Sequence, residues 1–156
     1  MTRPDDLDEW SPQGPVTELS GARCWELIAG PGTGRLGLSH HDQPEIFPVS
    51  YVADGSSIYF RTAEGTKLHD LIANSAAVLE VDAQSGNDAW SVTVKGTAHV
   101  VTDELDVPHE VRAEMPLWIP TSEYVFIRID PLDVRGRRFQ HELRVERREP
   151  EPGAQL

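Results

Sequence analysis

The sequence predicts a mainly β protein, an antiparallel barrel or sandwich with a few short helices. Three observations carry that prediction. About six strand-like runs follow one another in hairpin order, separated by Gly, Pro, Asn and Asp. The run Trp90 to Val100 alternates cleanly: Trp90, Val92, Val94, Ala98 and Val100 share one face, and Ser91, Thr93, Lys95, Thr97 and His99 the other. Helical periodicity is confined to short stretches between the runs. The chain of 156 residues is the size of one domain. No repeat with a period of about 20 to 50 residues is present, which excludes a solenoid or propeller.

Residues 1 to 16 are acidic and broken by Pro4, Pro12, Gly14 and Pro15, so they read as a flexible arm. Ser20 is placed to cap a short helix over Ala22 to Ala29, with Trp25, Ile28 and Ala29 on one face and Gly30-Pro31 ending it. Arg35 to Ser39 is the first strand, turned by His40-His41-Asp42-Gln43-Pro44 into a second over Glu45 to Ala53. Asp54-Gly55 marks a hairpin into a third, Ser57 to Thr62. A helix over Thr66 to Ala73 follows, with Leu68, Leu71 and Ile72 on one side and Asn74 as a left-handed terminal residue. Ala76 to Asp82 and the alternating run are the next strands. Pro108 starts a short helix through Glu114, and Tyr124 to Ile129 is the last strand, extended or returned by Val134 to Phe139. Residues 141–156 form a polar tail.

A formal charge of −12 argues against nucleic-acid binding, which needs a basic stripe. The charge is uneven: residues 135 to 148 hold six Arg against Glu142 and Glu146, either an anion contact or a solvated strand end. The single Cys24 allows neither an internal disulfide nor a four-cysteine zinc site. No run approaches the ~18 apolar residues of a membrane span, and Met1 to Asp6 lacks the order of a signal peptide. The expected address is the cytoplasm, with no membrane partner.

Several motifs carry no chemistry. Gly32-Thr33-Gly34-Arg35-Leu36-Gly37 fits the dinucleotide fingerprint, but that mechanism needs a strand before it and a helix after it, the reverse of the order here. His40-His41 read as exposed turn histidines; His69, His99 and His141 stand singly. Cys24 reads as a buried small hydrophobe. No nucleophile elbow is present, so no catalytic side chain and no metal ligands are assigned.

The informative stretch is Tyr59 to Leu68. A strand delivers Arg61 and Thr62 to its end, Gly65 permits a tight turn, and a helix opens at Thr66-Lys67. Two cations, two hydroxyls and unpaired first-turn N–H groups together suit a phosphomonoester. The alternative is two surface ion pairs, Arg61 with Glu64 and Lys67 with Asp70, each worth ~1 kcal/mol or less. Spacing alone leaves both readings standing.

The span from about Leu36 to Asp103 resembles the flavin-binding split-barrel family that includes pyridoxamine 5′-phosphate oxidase, nearest its nitroimidazole-reductase-like branch. The matching residues are Pro44-Glu45-Ile46-Phe47-Pro48-Val49-Ser50-Tyr51, Asp54-Gly55, Ile58-Tyr59-Phe60-Arg61-Thr62, Glu64-Gly65-Thr66-Lys67-Leu68, Ala77 to Val81 and Trp90 to Ala98. The C-terminal strand, Tyr124 to Phe139, matches more loosely. The resemblance implies a homodimeric antiparallel split β-barrel of Greek-key type spanning residues 17–140, with the cofactor between two subunits. It implies FMN, with the phosphate at Arg61, Thr62, Gly65, Thr66 and Lys67 and the ring along Pro48, Val49, Ser50 and Tyr51. Trp90 and Ser91 complete the expected site. Val49, Tyr51, Trp90 and Trp118 are the candidate apolar walls, and Trp118, between Pro116 and Pro120, a candidate lid. Core packing is the alternative for Trp90 and Trp118.

The chain departs from the nitroimidazole branch by Arg61-Thr62 where His-Ser is common, so nitro-group reduction is not carried over. The basic C-terminal substrate motif of pyridoxamine phosphate oxidase is not evident, and Arg135-Gly136-Arg137-Arg138 is a weak substitute. The expected function is flavin-based oxidoreduction of a small molecule with a separate reductant. The alternatives are a deazaflavin-dependent reductase and a non-catalytic flavin or haem carrier or sensor.

Overall fold

The computed structural model describes residues 16–72, 75–116 and 123–140. Asn74, Trp118, His141, residues 1–15 of the arm and the 141–156 tail lie outside the described residues. Seven strands and three helices follow in the order β1 (Val16–Leu19), α1 (Gly21–Ile28), β2 (Gly30–His40), β3 (Gln43–Ala53), β4 (Ile58–Ala63), α2 (Lys67–Ile72), β5 (Ala76–Ser85), β6 (Asp88–Val101), α3 (His109–Glu114) and β7 (Tyr124–Gln140). All pairings are antiparallel. The strand order β7-β4-β3-β2-β5-β6 closes through a β6–β7 ladder into a barrel, the fold the sequence predicts.

Strand β7 organises the closure. One edge pairs with β6 over Phe126 to Gln140; the other pairs with β4 over Tyr124 to Ile129 and with β1 over Gly136 to Phe139. The two predicted segments are thus one strand of 17 residues. It bends at a bulge: Lys95 faces Asp133 and Gly96 faces Pro131, leaving Leu132 unpaired and 82 % exposed. Gly96 is demanded there, because a Cβ would stand 2.1 Å from the Asp130 carbonyl oxygen. Pro131, lacking an N–H, is tolerated at the bulge.

Strand β2 is longer than the sequence suggests and absorbs Gly30 to Gly34, residues that read as punctuation. Their lack of side chains is a packing requirement. A Cβ at Gly32 would meet the Tyr51 hydroxyl at 2.7 Å, and one at Gly34 would meet the Glu80 carbonyl oxygen at 2.9 Å. The fingerprint-like glycines therefore lie within a strand, where they cannot cradle a pyrophosphate. β1 and a 3₁₀ turn at Glu104–Asp106 are additional to the elements read from sequence. Ser20 caps α1 as expected, accepting from the Arg23 N–H at 3.2 Å. The β2–β3 turn is held by His41 and Asp42 at φ 48° and 61°, the left-handed pair a two-residue hairpin uses.

The core has two parts. Inside the barrel, Leu36, Phe60, Leu79, Val92, Val94, Ile127 and Ile129 are buried together with Cys24 and Ile28 of α1 and Ile72 of α2. Outside it, Val52, Tyr59 and Phe126 are covered by Val107, Val111 and Met115 around α3. Odd and even positions of β4 and β7 are thus both buried near Phe60, but by different layers. Among the described residues no helix is long and apolar enough to cross a membrane.

Candidate functional site

The hairpin register fixes where the backbone of β3 points. His40 and Gln43 flank the two-residue turn, so they and every second residue of β3 exchange ladder bonds with β2. The other hairpin gives the same phase, since the Asp54 N–H donates to the Ser57 carbonyl at 3.2 Å. Even-numbered residues of β3 therefore aim N–H and C=O toward β4. The prolines obey this phase: Pro44 and Pro48 place their missing donors on that edge. The β3–β4 ladder stops at Tyr51↔Phe60. Tyr51↔Phe60 is a non-hydrogen-bonded pair, so the Ser50 carbonyl still accepts from the Arg61 N–H, and past that point the Ser50 N–H and the Pro48 carbonyl have no ladder partner.

Across this split lies a cleft of about 260 Å³, lined by Pro48, Val49, Ser50, Arg61, Thr62 and Ala63, by Leu68, and by Met115, Pro116 and Tyr124. Five residues assigned from sequence thus converge: Pro48, Val49, Ser50, Arg61 and Thr62. Arg61 lies on the outer face of β4, where its Nη2 donates to the Pro116 carbonyl and its guanidinium carbon stands 5.2 Å from the Tyr124 ring centroid. Both partners are neutral, so the side chain is positioned without losing its charge.

Thr62 is 5 % exposed, and its hydroxyl lies 3.2 Å from that of Thr66. Thr66 donates to the Ala63 carbonyl at 2.8 Å and accepts from the His69 N–H at 3.2 Å, so Thr62 is the donor of the pair. Thr66 is thus the N-terminal cap of α2. That helix has six residues, so the cations rather than a long macrodipole must supply most of any attraction for an anion. Gly65, at φ 74°, makes the preceding turn. Lys67 pairs with Glu45 of β3, its Nζ 2.5 Å from the carboxylate, and not with Asp70.

The remaining sequence-assigned residues sit elsewhere. The Tyr51 side chain is 2 % exposed and lies in the core against Gly32, so only its backbone borders the split. Burial pushes its phenol above the ordinary range. Trp90 and Ser91 line a separate depression with Glu80, Asp82 and Phe139. In the basic segment, Arg138 forms a bidentate pair with Asp88 at 3.0 Å and Arg135 pairs with Asp133 at 3.0 Å. Sequence reasoning missed Tyr124, Met115 and Pro116. Tyr124 shares the outer face with Phe126, but its pairing with Ala63 is a contact 61 residues apart, which no local pattern encodes.

Cys24, His40, His41 and His99 do not line this cleft. Cys24 is fully buried, and desolvation raises its thiol pKa. The His40 and His41 rings meet edge to face at 4.1 Å in an exposed turn. His99 lies 3.0 Å from Asp130.

A family model described as pyridoxamine 5′-phosphate oxidase matches residues 20–138. The structure is similar to that of an FAD-binding protein from Mycobacterium smegmatis, with TM-score 0.73 and 36 % identity over 81 % of this chain and 100 % of that one. An FAD-binding protein from Mesorhizobium loti aligns with TM-score 0.67 and 26 % identity, covering 79 % and 97 %. A Mycobacterium tuberculosis protein is 35 % identical over 89 residues, 57 % of this chain and 81 % of its own. A 5-nitroimidazole antibiotic resistance protein from Bacteroides thetaiotaomicron shares the fold, with TM-score 0.65 at 9 % identity over 80 % of this chain and 89 % of that one.

Proposed function

Because the chain belongs to the pyridoxamine 5′-phosphate oxidase family, we propose that it binds a flavin nucleotide in the β3–β4 split and acts as a flavin-dependent oxidoreductase. The observation that carries the reading is the unpaired Pro48–Ser50 edge facing Arg61 and Thr62 across one cleft. The edge offers the Ser50 N–H as donor and the Pro48 carbonyl as acceptor, which would suit one carbonyl and the adjacent N–H of the pyrimidine edge of an isoalloxazine ring. Arg61 supplies a charged fork for the ribityl phosphate, Thr62 and Thr66 polar contacts, and Lys67 a cation shared with Glu45. FMN and FAD both carry that phosphate. The resemblance read from the sequence implies FMN, whereas the names of the two FAD-binding relatives support FAD.

When bound, the flavin would supply hydride and electron transfer. This chain's residues would hold the ring and phosphate, and Leu68, Val49 and Met115 would exclude water. No side chain at the cleft is assigned a proton-transfer role. A cleft of about 260 Å³ falls below the ~300–1,000 Å³ typical of ligand sites, which supports a second copy of the chain as the missing wall.

Titrating the purified chain with FMN, FAD and riboflavin tests this reading, together with Ser50→Pro. That proline falls in phase with Pro44 and Pro48, so it removes no ladder bond. It should weaken all three flavins by about tenfold, one lost hydrogen bond of ~1 kcal/mol or slightly more, at near-normal stability. Absence of saturable flavin binding at micromolar concentration would refute the proposal. Flavin that binds but never cycles with any reductant would instead favour the carrier.

A further inference from the structure

A groove of about 580 Å³ lies apart from the β3–β4 split, between α1 and α3. Its accessible apolar lining comes from Trp25, which packs partly against the core, and from Ala22, Ala29 and Pro108, with the buried Val52 of β3 and Val111 of α3 beneath them. Its rim is acidic, with Glu26, Asp54, Glu110 and Glu114 and no cationic lining residue. Glu26 is paired with Arg23 at 3.0 Å, and Asp54 accepts from the Ser56 and Ser57 N–H groups. Glu110 and Glu114 have no ion-pair partner among the described residues. They stand one turn apart on α3, a like-charge spacing that costs a helix stability unless a cation intervenes. Glu114 reaches over the floor, its Oε2 3.7 Å from where a Cβ would stand on Gly30.

We propose that this groove is a binding site for an organic cation with an apolar or aromatic body, such as an arylalkyl amine or quaternary ammonium ion. The volume lies within the ~300–1,000 Å³ of small-molecule sites. Trp25, partly exposed in the groove, supplies an aromatic ring for the cationic head, Ala22, Ala29 and Pro108 take the body, and Glu110 and Glu114 supply charge complementarity. A metal ion fits less well: among the described residues no three His, Cys, Asp or Glu side chains converge in a metal-holding arrangement. The carboxylates surround the groove and do not meet at a point, which suits a diffuse charge. The site stands independently of the flavin reading, although Val52 and Ser50 share the outer face of β3 two residues apart.

The test titrates the full chain with benzyltrimethylammonium, followed by ligand-observed NMR, with benzyl alcohol as the uncharged comparison. The cation should bind saturably and about tenfold more tightly than the alcohol. Glu110→Gln and Glu114→Gln should each weaken it by about threefold, and Trp25→Leu by about fivefold. Asp42→Asn is the charge-matched control. It lies on the order of 30 Å away at the other end of the β2–β3 hairpin, in a turn where Asn tolerates the left-handed backbone, and should change nothing. Binding of benzyl alcohol as tight as that of the cation would overturn the proposal. So would equal losses in Asp42→Asn and the Glu variants, or no saturable binding at all.

Discussion

Replacing Arg61 with Ala separates the phosphate role of this residue from its structural one. In the free chain the guanidinium holds the Pro116 carbonyl and lies over Tyr124. The hydrogen bond is worth ~0.5–1.5 kcal/mol and the cation–π contact about 0.5–1 kcal/mol. Arg61→Ala should therefore cost the apo chain about 1–2 kcal/mol, a drop in Tm of roughly 2–8 °C at this size. A charge-assisted contact to a phosphate is worth a further ~1.5–3 kcal/mol, so Kd for FMN and FAD should rise by about tenfold to 150-fold. Riboflavin has no phosphate, and its affinity should change little. Arg61→Lys keeps the charge but loses the fork and should fall between. Fluorescence titration of each flavin, beside a thermal melt of each apo variant, provides the readouts. Equal losses for riboflavin and FMN would show that Arg61 only shapes the cleft. Unchanged FMN affinity with a lowered Tm would remove the phosphate from this position.

Two further predictions concern the frame. Gly96→Ala should destabilise the chain by about 3 kcal/mol or more, above the usual overpacking range, because its Cβ would meet the Asp130 backbone at 2.1 Å and not a movable side chain. Gly21→Ala, with nothing within 4 Å, should stay within about 1 kcal/mol in the same chemical melt. The second concerns pH. Arg138 holds Asp88 below its ordinary value of 3.8, so the ionised pair stabilises the fold above that value and loses this contribution as pH falls through the lower folded one. Asp88→Asn should be less stable than wild type at pH 7, and the gap should close in strong acid. Glu80 has the opposite sign: desolvation raises its pKa, so Glu80→Gln should gain on wild type as pH rises through the folded value. A gap for Asp88→Asn that stays constant from neutral pH to strong acid would refute the linkage.

Much of the architecture was legible because its determinants are local. Alternation in β6, the Asp54-Gly55 turn and the Ser20 cap each lie within a few residues of the structure they specify. The converging site residues were legible for a related reason: Arg61 and Thr62 end one strand, and Pro48 to Ser50 run along its hairpin neighbour. The spacing of the prolines also carried information, since Pro44 and Pro48 mark the edge that receives no partner strand.

Tertiary structure decided what depends on distant segments. Whether Val134 to Phe139 extends or returns β7 was settled by β6, which pairs with it from Phe126 to Gln140 and accommodates one bulge opposite Gly96. Gly30 to Gly34 resembled a loop because glycine and proline disfavour strands locally, yet Tyr51 and β5 need that surface bare. Lys67 could have paired with Asp70 one turn away, but closure of the barrel brought Glu45 of β3 to it. Tyr51, which as sequence belonged to the ring-facing strand, was turned inward by the two-residue period of that strand, leaving the edge to its backbone. The sequence determined the strands, their turns and the chemistry available. The register between strands decided which of those groups share a cleft, because side-chain orientation in a sheet is set by pairing partners far away in the chain.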